Sequence, residues 1–365
     1  MQTYLINLLR FLPEDAPADI FVLSLDSLPL PTDRENIQRI PVDWPVENPF
    51  VRAVWERIHL PKLLRQIGAD ILFCPGGIIG ASVPPGCKSV VMFRNMLPFD
   101  LVHRRRYPLG YMRMRHWILE RVLQKSMLQA DLVIFISEFA RKVIESRAGG
   151  PMKNSVVIPH GINPCFRNGE AWNPRRPDWL RPEGYLLYVS KLDFYKAQVE
   201  VVQAYAVLKQ SRPTREKLVL AGPEESPEYS RKVHAEIHRL GLHEDVVITG
   251  HIPYEQMPAL YHHALVNIFA SRCENCPNIL LEALAAGRPI LASSTPPMPE
   301  FAGDAAIYFD PSSPNELAEK LAQMLDDPVR MRELSARARE RSHHYDWPRT
   351  AIATWQVIGE LAEKR

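Results

Sequence analysis

Short apolar runs alternate with amphipathic stretches along the chain, and this rhythm constrains the fold more than any other feature. In the first half the runs are IFVLSL (20–25), DILFC (70–74), SVVMF (89–93), DLVIFIS (131–137) and SVVIP (155–159). They are almost continuously apolar, which suits parallel strands covered on both faces rather than antiparallel strands with one wet face. Between them lie helical patterns at 4–12, about 50–67 and about 108–129, and a helix that Ser137 can cap and that runs to about 146. Strand, helix, strand in this order predicts an α/β fold with parallel sheets.

The rhythm stops at 162–184, a stretch dense in Pro, Gly, Arg and Trp that reads as an interdomain linker. It then resumes with YLLYVS (185–190), a helix from about 196, KLVLAG (217–222), DVVITG (245–250), ALVNIFAS (264–271), a helix over 278–286 stopped by Gly287, and PILAS (289–293). Helices near 315–326, 328–342 and 347–362 finish the chain. At 365 residues the chain exceeds what one core usually serves. The expectation is two Rossmann-like domains, 1–165 and 180–345, followed by a terminal helix within 346–365. Ligands then belong at the carboxyl ends of the strands, facing a cleft. No G-x-G-x-x-G follows a strand, and Gly76-Gly77 lacks its spacing, which argues against a nicotinamide dehydrogenase.

A net charge of only +2 argues against a nucleic-acid partner. No apolar run reaches the roughly 18 residues that span a bilayer. The first residues, MQTYLINLLRFLPED, lack a basic start and a cleavage site, so cytoplasmic residence is expected. Five cysteines form no disulfide framework, and Cys273–Cys276 has no second pair at zinc spacing. No metal site is expected.

The stretch SRCENCPNILLEALAAG (271–287) carries the chemistry. Glu274 lies in the loop after a strand, and Glu282 lies inside the next helix, which begins near Pro277. The first-turn amides of Asn278, Ile279 and Leu280, with the helix dipole, would suit a diphosphate. Glu282 could accept from paired ribose hydroxyls, and Glu274 could reach a sugar. Taken alone, two acids at this spacing are more often a loop acid and a solvated helix acid. Lys191 and Lys196 bracket the loop after the first strand of the second half; solvated loop lysines are the plainer alternative, yet here they could neutralise a diphosphate leaving group without a metal.

These segments resemble glycosyltransferase family 4, the retaining GT-B enzymes. In SKLDFYKA (190–197), Lys196 matches the family lysine, Lys191 stands where the family has arginine and Ser190 where it has glycine. Glu274 and Glu282 match the family's E-x7-E, and IPHGI (158–162), LVLAGP (218–223), ITGHIPYEQMPALYHHA (248–264) and GDAAIYFDP (303–311) are similar in the family's order. The resemblance is strong over about 130–365 and looser before that. It implies that Lys191 and Lys196 hold the diphosphate, that Glu274 contacts the donor sugar and Glu282 the ribose, that Gly250, His251 and Ile252 border the nucleobase, and that 346–365 crosses back to the first domain; a terminal helix that stays on the second domain is the plainer alternative. The implied reaction moves a sugar from a UDP- or GDP-sugar to a saccharide or lipid-linked acceptor with retention, in cell-surface polysaccharide or glycolipid synthesis, with no cofactor.

The front half departs from the family pattern. Met1 falls inside the family's first helix, so a strand and glycine-rich loop are either upstream of this sequence or missing; an upstream start is the expectation. After the strand at 89–93 the family's His-Asp is replaced by Arg94-Asn95, and Arg94 could hold an anionic acceptor group or simply be a surface arginine. His103 nearby reads as a surface histidine. Residues 101–125 carry Arg104, Arg105, Arg106, Arg113, Arg115, Arg121 and Lys125 among Tyr107, Tyr111, Met112, Met114, Trp117 and Ile118. Such a face suits an anionic membrane surface, which would place the protein peripherally at the inner membrane face, although charge runs are usually just solvated. A nucleotide-binding module without turnover and a sugar-nucleotide epimerase remain as alternatives.

Overall fold

The computed structural model describes residues 2–13, 19–24, 28–31, 34–107, 110–168 and 184–364. In chain order the first elements are α1 (Gln2–Arg10), β1 (Ile20–Ser24), β2 (Ile37–Pro41), α2 (Pro49–Ile58), α3 (Leu60–Gln66), β3 (Ile71–Cys74), β4 (Lys88–Phe93), α4 (Leu101–Arg106), α5 (Tyr111–Gln129), β5 (Leu132–Phe135), α6 (Glu138–Ala148) and β6 (Ser155–Val157). Then follow β7 (Tyr185–Val189), α7 (Gln198–Ser211), β8 (Lys217–Ala221), α8 (Pro227–Arg239), β9 (Val246–Ile248), α9 (Met257–His263), β10 (Val266–Phe269), α10 (Asn278–Ala286), β11 (Ile290–Ser293), α11 (Met298–Ala302), β12 (Ile307–Phe309), α12 (Pro314–Leu325), α13 (Pro328–Ser342) and α14 (Trp347–Glu363).

The chain divides into two compact units: Met1–Asn95 with Met114–Gly161 and Trp347–Arg365, and Met96–Arg113 with Ile162–Asp346. In the first unit β1 and β2 form a parallel pair, and β3-β4-β5-β6 form a second, wholly parallel sheet. β4 and β5 are its core strands, with Val90 to Phe93 and Val133 to Phe135 buried on both faces. Ser137 caps α6 by accepting from the Ala140 amide at 3.1 Å, and Gly149 ends it in the left-handed region at φ 81°. α1 and α14 pack together. Tyr4, 1% exposed, meets Thr354 Oγ1 at 3.3 Å, and Trp355 Nε1 donates to the Leu8 carbonyl at 3.0 Å. Lys88 Nζ donates to the Leu361 carbonyl at 3.0 Å, tying the far end of α14 to β4.

The second unit is built on a six-stranded parallel sheet in the order β12-β11-β10-β7-β8-β9. From β7 the chain first winds one way through β8 and β9, then returns beside β7 with β10 and winds the other way. The reversal point lies between β7 and β10, where ligands of doubly wound sheets bind.

Two boundaries differ from expectation. Residues 96–113, expected with the first domain, group with the second unit. Residues 162–167 are not a loose linker: Ile162 pairs with Asp346, and Phe166 is fully buried against the Tyr254 and Tyr261 rings, 5.6 and 5.7 Å away. The remaining core of the expected linker, 169–183, lies outside the described residues. The helix expected over about 50–67 is two helices that part at His59, just before Pro61.

Candidate active site

The carboxyl ends of β7 and β10 bring together charges that are distant in sequence. After β7, Asp193 Oδ1 accepts from the Phe194 amide at 2.8 Å and starts a single 3-10 turn, Phe194–Lys196. Ala197 follows at φ 58°, a left-handed conformation that costs a residue with a Cβ, and it turns the chain into α7. Tyr188 Oη holds the turn by donating to the Lys196 carbonyl at 2.6 Å. Lys196 is 5% exposed; its ammonium forms a hydrogen-bonded ion pair with Glu274 Oε1 and lies 4.9 Å from the Tyr195 ring centre and 5.7 Å from that of Phe269. Neither a solvated lysine nor a surface acid describes this pair.

Lys191 is more open. Its Nζ lies 2.9 Å from Glu225 Oε2 and 3.5 Å from Asp193 Oδ2. Burial alone would pull its ammonium down, but the hydrogen bond and charge of Glu225, with Asp193, outweigh this and hold it above an ordinary lysine.

α10 spans Asn278–Ala286, the expected bounds, with Pro277 as its cap. The Asn278 amide, expected to face a ligand, instead donates to the Cys276 carbonyl at 3.0 Å. Among the described residues no backbone acceptor takes the Ile279 and Leu280 amides, so the first turn keeps two of the three expected donors. One turn further, Glu282 Oε2 accepts from Tyr261 Oη at 3.1 Å. Burial pushes its carboxyl up to about 8, and the tyrosine bond offsets this only in part.

An open recess with about 430 Å³ of free space lies at the ends of β7, β8 and β9. Lys191, His251, Ile252 and Ile279, four of the expected site residues, line it together with Ser190, Gly222 and Met257. Gly250 lies next to it, at φ 65°, and its carbonyl accepts from the Gly222 amide at 3.1 Å. Gly222 has no room for a side chain, because a Cβ there would sit 2.3 Å from the Ser190 carbonyl oxygen.

Several side chains at the site gave no signal in sequence. Arg272, 5% exposed, donates to Glu200 Oε1 at 2.6 Å and to the Pro311 carbonyl at 2.8 Å, while its amide donates to the Tyr195 carbonyl at 2.8 Å. It thus ties the Glu274 loop to the Lys196 turn and to α7. His103 is 7% exposed, not a surface residue; its Nδ1 meets Asp100 Oδ2 at 2.7 Å. The Cys273 thiol can also donate to Asp100. Burial would raise the Asp100 carboxyl, yet the hydrogen bonds from His103 and Cys273 win and hold it below its ordinary range. Asp100, His103 and Cys273 each offer a ligand atom within 4.8 Å of the others, the one such group among the described residues that could hold a metal ion.

The weaker candidates lie in the first unit. Arg94, half-buried at the end of β4, places its guanidinium 5.3 Å from the Tyr4 ring centre, and Asn95 beside it is exposed. On α5, Met114, Trp117, Ile118 and Val122 are exposed among Arg115, Arg121 and Lys125, and Arg121 lies 4.3 Å from the Trp117 ring centre. No helix among the described residues is long and apolar enough to cross a membrane.

Two α/β units with parallel sheets, the second presenting paired lysine and glutamate at its reversal point, define the GT-B class. The solved structures agree on the fold. Sucrose-phosphate synthase of Thermosynechococcus elongatus matches with a TM-score of 0.76 at 18% identity, covering 98% of this chain and 92% of that one. The glycosyltransferase WaaG matches with a TM-score of 0.75 at 16% identity, covering 98% and 95%. The Glycosyltransferase Family 4 profile matches residues 1–165, and the Glycosyl transferases group 1 profile matches residues 174–341. The chain belongs to the GT-B glycosyltransferases of family 4. Among curated relatives, O-antigen chain mannosyltransferase B of Escherichia coli is 24% identical over 246 residues, 65% of this chain and 62% of that protein. D-inositol 3-phosphate glycosyltransferase of Thermobispora bispora is 28% identical over 234 residues, 62% of this chain and 54% of that protein. The match therefore spans less than two thirds of either relative's own length.

Proposed function

We propose that this protein is a retaining, metal-independent glycosyltransferase that moves a sugar from a UDP- or GDP-sugar to a saccharide or lipid-linked acceptor in polysaccharide or glycolipid assembly. The observation that carries the reading is the buried Lys196–Glu274 pair at the reversal point, with Lys191, from the same loop as Lys196, bordering an open recess. In this reading Lys196 and Lys191 neutralise the diphosphate, supplying the positive charge that a divalent ion supplies elsewhere. The Ile279 and Leu280 amides add donors along the helix axis. Glu274 orients the sugar, Glu282 takes the ribose hydroxyls, and the segment Gly250–Ile252 borders the base. The bond from the anomeric carbon to the phosphate oxygen breaks as a bond to the acceptor oxygen forms on the same face. The acceptor proton passes to the departing phosphate, so no enzyme nucleophile is required.

The first test is a thermal-shift panel of UDP, GDP and their sugar conjugates, with and without EDTA. GDP-mannose heads it, because mannosyltransferases recur among the relatives. Ligand at 100 times its Kd stabilises by about 2.7 kcal/mol. A shift with one nucleotide, unchanged by EDTA, supports the reading. A shift without turnover of any sugar conjugate favours a binding module, an isomerised donor favours an epimerase, and a requirement for a divalent ion overturns the metal-independent mechanism.

The exposed apolar and basic residues of α5 favour a second element of the reading, peripheral contact of 101–125 with an anionic membrane at the inner face. Sedimentation with anionic vesicles at low salt tests it, and Trp117→Glu is expected to abolish the binding.

A further inference from the structure

The segment Met96–Arg113 follows β4 in the chain but belongs with the second unit, and its hydrogen bonds lead to both loops of the candidate site. At one end Asp100 caps α4 by accepting from the His103 amide at 3.0 Å, and it accepts again from His103 Nδ1 at 2.7 Å. The thiol of Cys273, buried and directly before Glu274, lies within 4.8 Å of the same carboxyl and of the His103 ring nitrogen, where it can donate to the carboxylate. At the other end Tyr107 Oη donates to Asp193 Oδ1 at 3.3 Å, and its ring meets Phe194 edge-on at 6.1 Å. Asp193 starts the turn that presents Lys196 and lies 3.5 Å from Lys191 Nζ.

We infer that Met96–Tyr107 is a clamp that fixes the spacing of the two donor loops, with Asp100 and Tyr107 as positioning residues. Asp100 holds the Glu274 loop through Cys273, and Tyr107 holds the lysine turn through Asp193. The two anchors join the loops through a third piece of chain, in parallel with the direct Lys196–Glu274 pair. A pair alone sets one distance; the clamp also sets the direction from which each loop approaches. The clamp is a statement about the loops. Its effect on rate rests on the transferase reading above, where misplacing reacting groups by about 1 Å costs on the order of 100-fold.

Three variants separate positioning from folding. Tyr107→Phe removes one hydroxyl and keeps the ring on Phe194. Cys273→Val removes the donor to Asp100, and Cys273→Ser restores a donor of similar size. Hydrogen exchange of the amides over 191–197 and 271–276 reads the clamp directly, and donor kcat and KM read its consequence. Tyr107→Phe and Cys273→Val are expected to speed exchange in both loops, with α12 unchanged, and to lower kcat by roughly tenfold or more with little change in KM, as lost orientation requires. Cys273→Ser is expected to recover both. Unchanged loop exchange in Tyr107→Phe and Cys273→Val, or a Cys273→Ser as impaired as Cys273→Val, overturns the clamp. A wild-type protein without transfer, whose loops nevertheless loosen in Tyr107→Phe, would leave the clamp standing and remove the proposed function.

Discussion

Lys196 and Glu274 form an ion pair whose side chains are only 6% and 16% exposed. Removing one partner strands the other, and a broken buried pair costs about 3–5 kcal/mol. Glu274→Ala is expected near the lower end, about 3 kcal/mol, because the stranded ammonium keeps the Tyr195 and Phe269 rings, at 4.9 and 5.7 Å, as partial compensation. For a unit of this size each kcal/mol lowers the Tm by about 2–4 °C, so Glu274→Ala should melt about 6–12 °C lower. Lys196→Met strands a carboxylate in turn. The double variant Lys196→Met/Glu274→Leu replaces both charges with apolar groups and is expected within about 1 kcal/mol of wild type, since such replacements are often neutral. Calorimetry of wild type, Lys196→Met, Glu274→Leu and the double variant gives the coupling energy, expected at about 5 kcal/mol from these costs. Transfer assays on the same samples should find all three variants inactive, so the double variant separates stability from function. A double variant as unstable as the sum of its singles would refute the pairing argument. A double variant that still transfers sugar would refute the role of both residues.

Two further outcomes follow from the same geometry. Glu282 keeps a proton up to about 8 in the native state but releases it near 4.5 when unfolded, so the folded state binds the extra proton across that window. Native stability should therefore fall as pH rises from about 4.5 to 8 and level off above it, and Glu282→Gln should remove that slope. Parallel Tm profiles for the two proteins would contradict the buried carboxyl. Gly222→Ala places a Cβ 2.3 Å from the Ser190 oxygen at φ 150°. It should cost at least about 2 kcal/mol and abolish nucleotide binding by calorimetric titration. Unchanged affinity would mean that the recess at Ser190 is not where the nucleotide sits.

The parts of this fold legible in sequence are those governed by local rules. α10 was readable as 278–286 because Gly287 ends it at φ 63°, where a left-handed residue belongs, and because the preceding strand is continuously apolar. β2 escaped notice because IQRIP is polar at its second and third positions and is only partly buried, so it shows neither an apolar run nor a clean alternation. Lys191, Lys196, Glu274 and Glu282 could be chosen from motif context, but the Lys196–Glu274 contact joins residues 78 positions apart, and nothing local encodes it. His103 illustrates the opposite error, and Arg272 carries no local sign of its burial. Charged and polar residues at strand and helix ends default to solvent, and only the partners supplied by Glu200 and Asp100 make their burial tolerable.

The contacts of α14 reverse the usual relation between synthesis and folding. The first unit contains both the start of the chain and Trp347–Arg365, where Thr354 and Trp355 meet Tyr4 and Leu8. A ribosome makes the first unit's sheets early, yet their closing helix emerges only after the whole of the second unit. The second unit can therefore complete its core during translation, while the first must wait with α1 uncovered until α14 has been made. Nascent chains of this protein should present an unfinished front half to chaperones for the entire time that the back half is being made. A premature stop before Trp347 should yield a well-folded second unit attached to a first unit that cannot close.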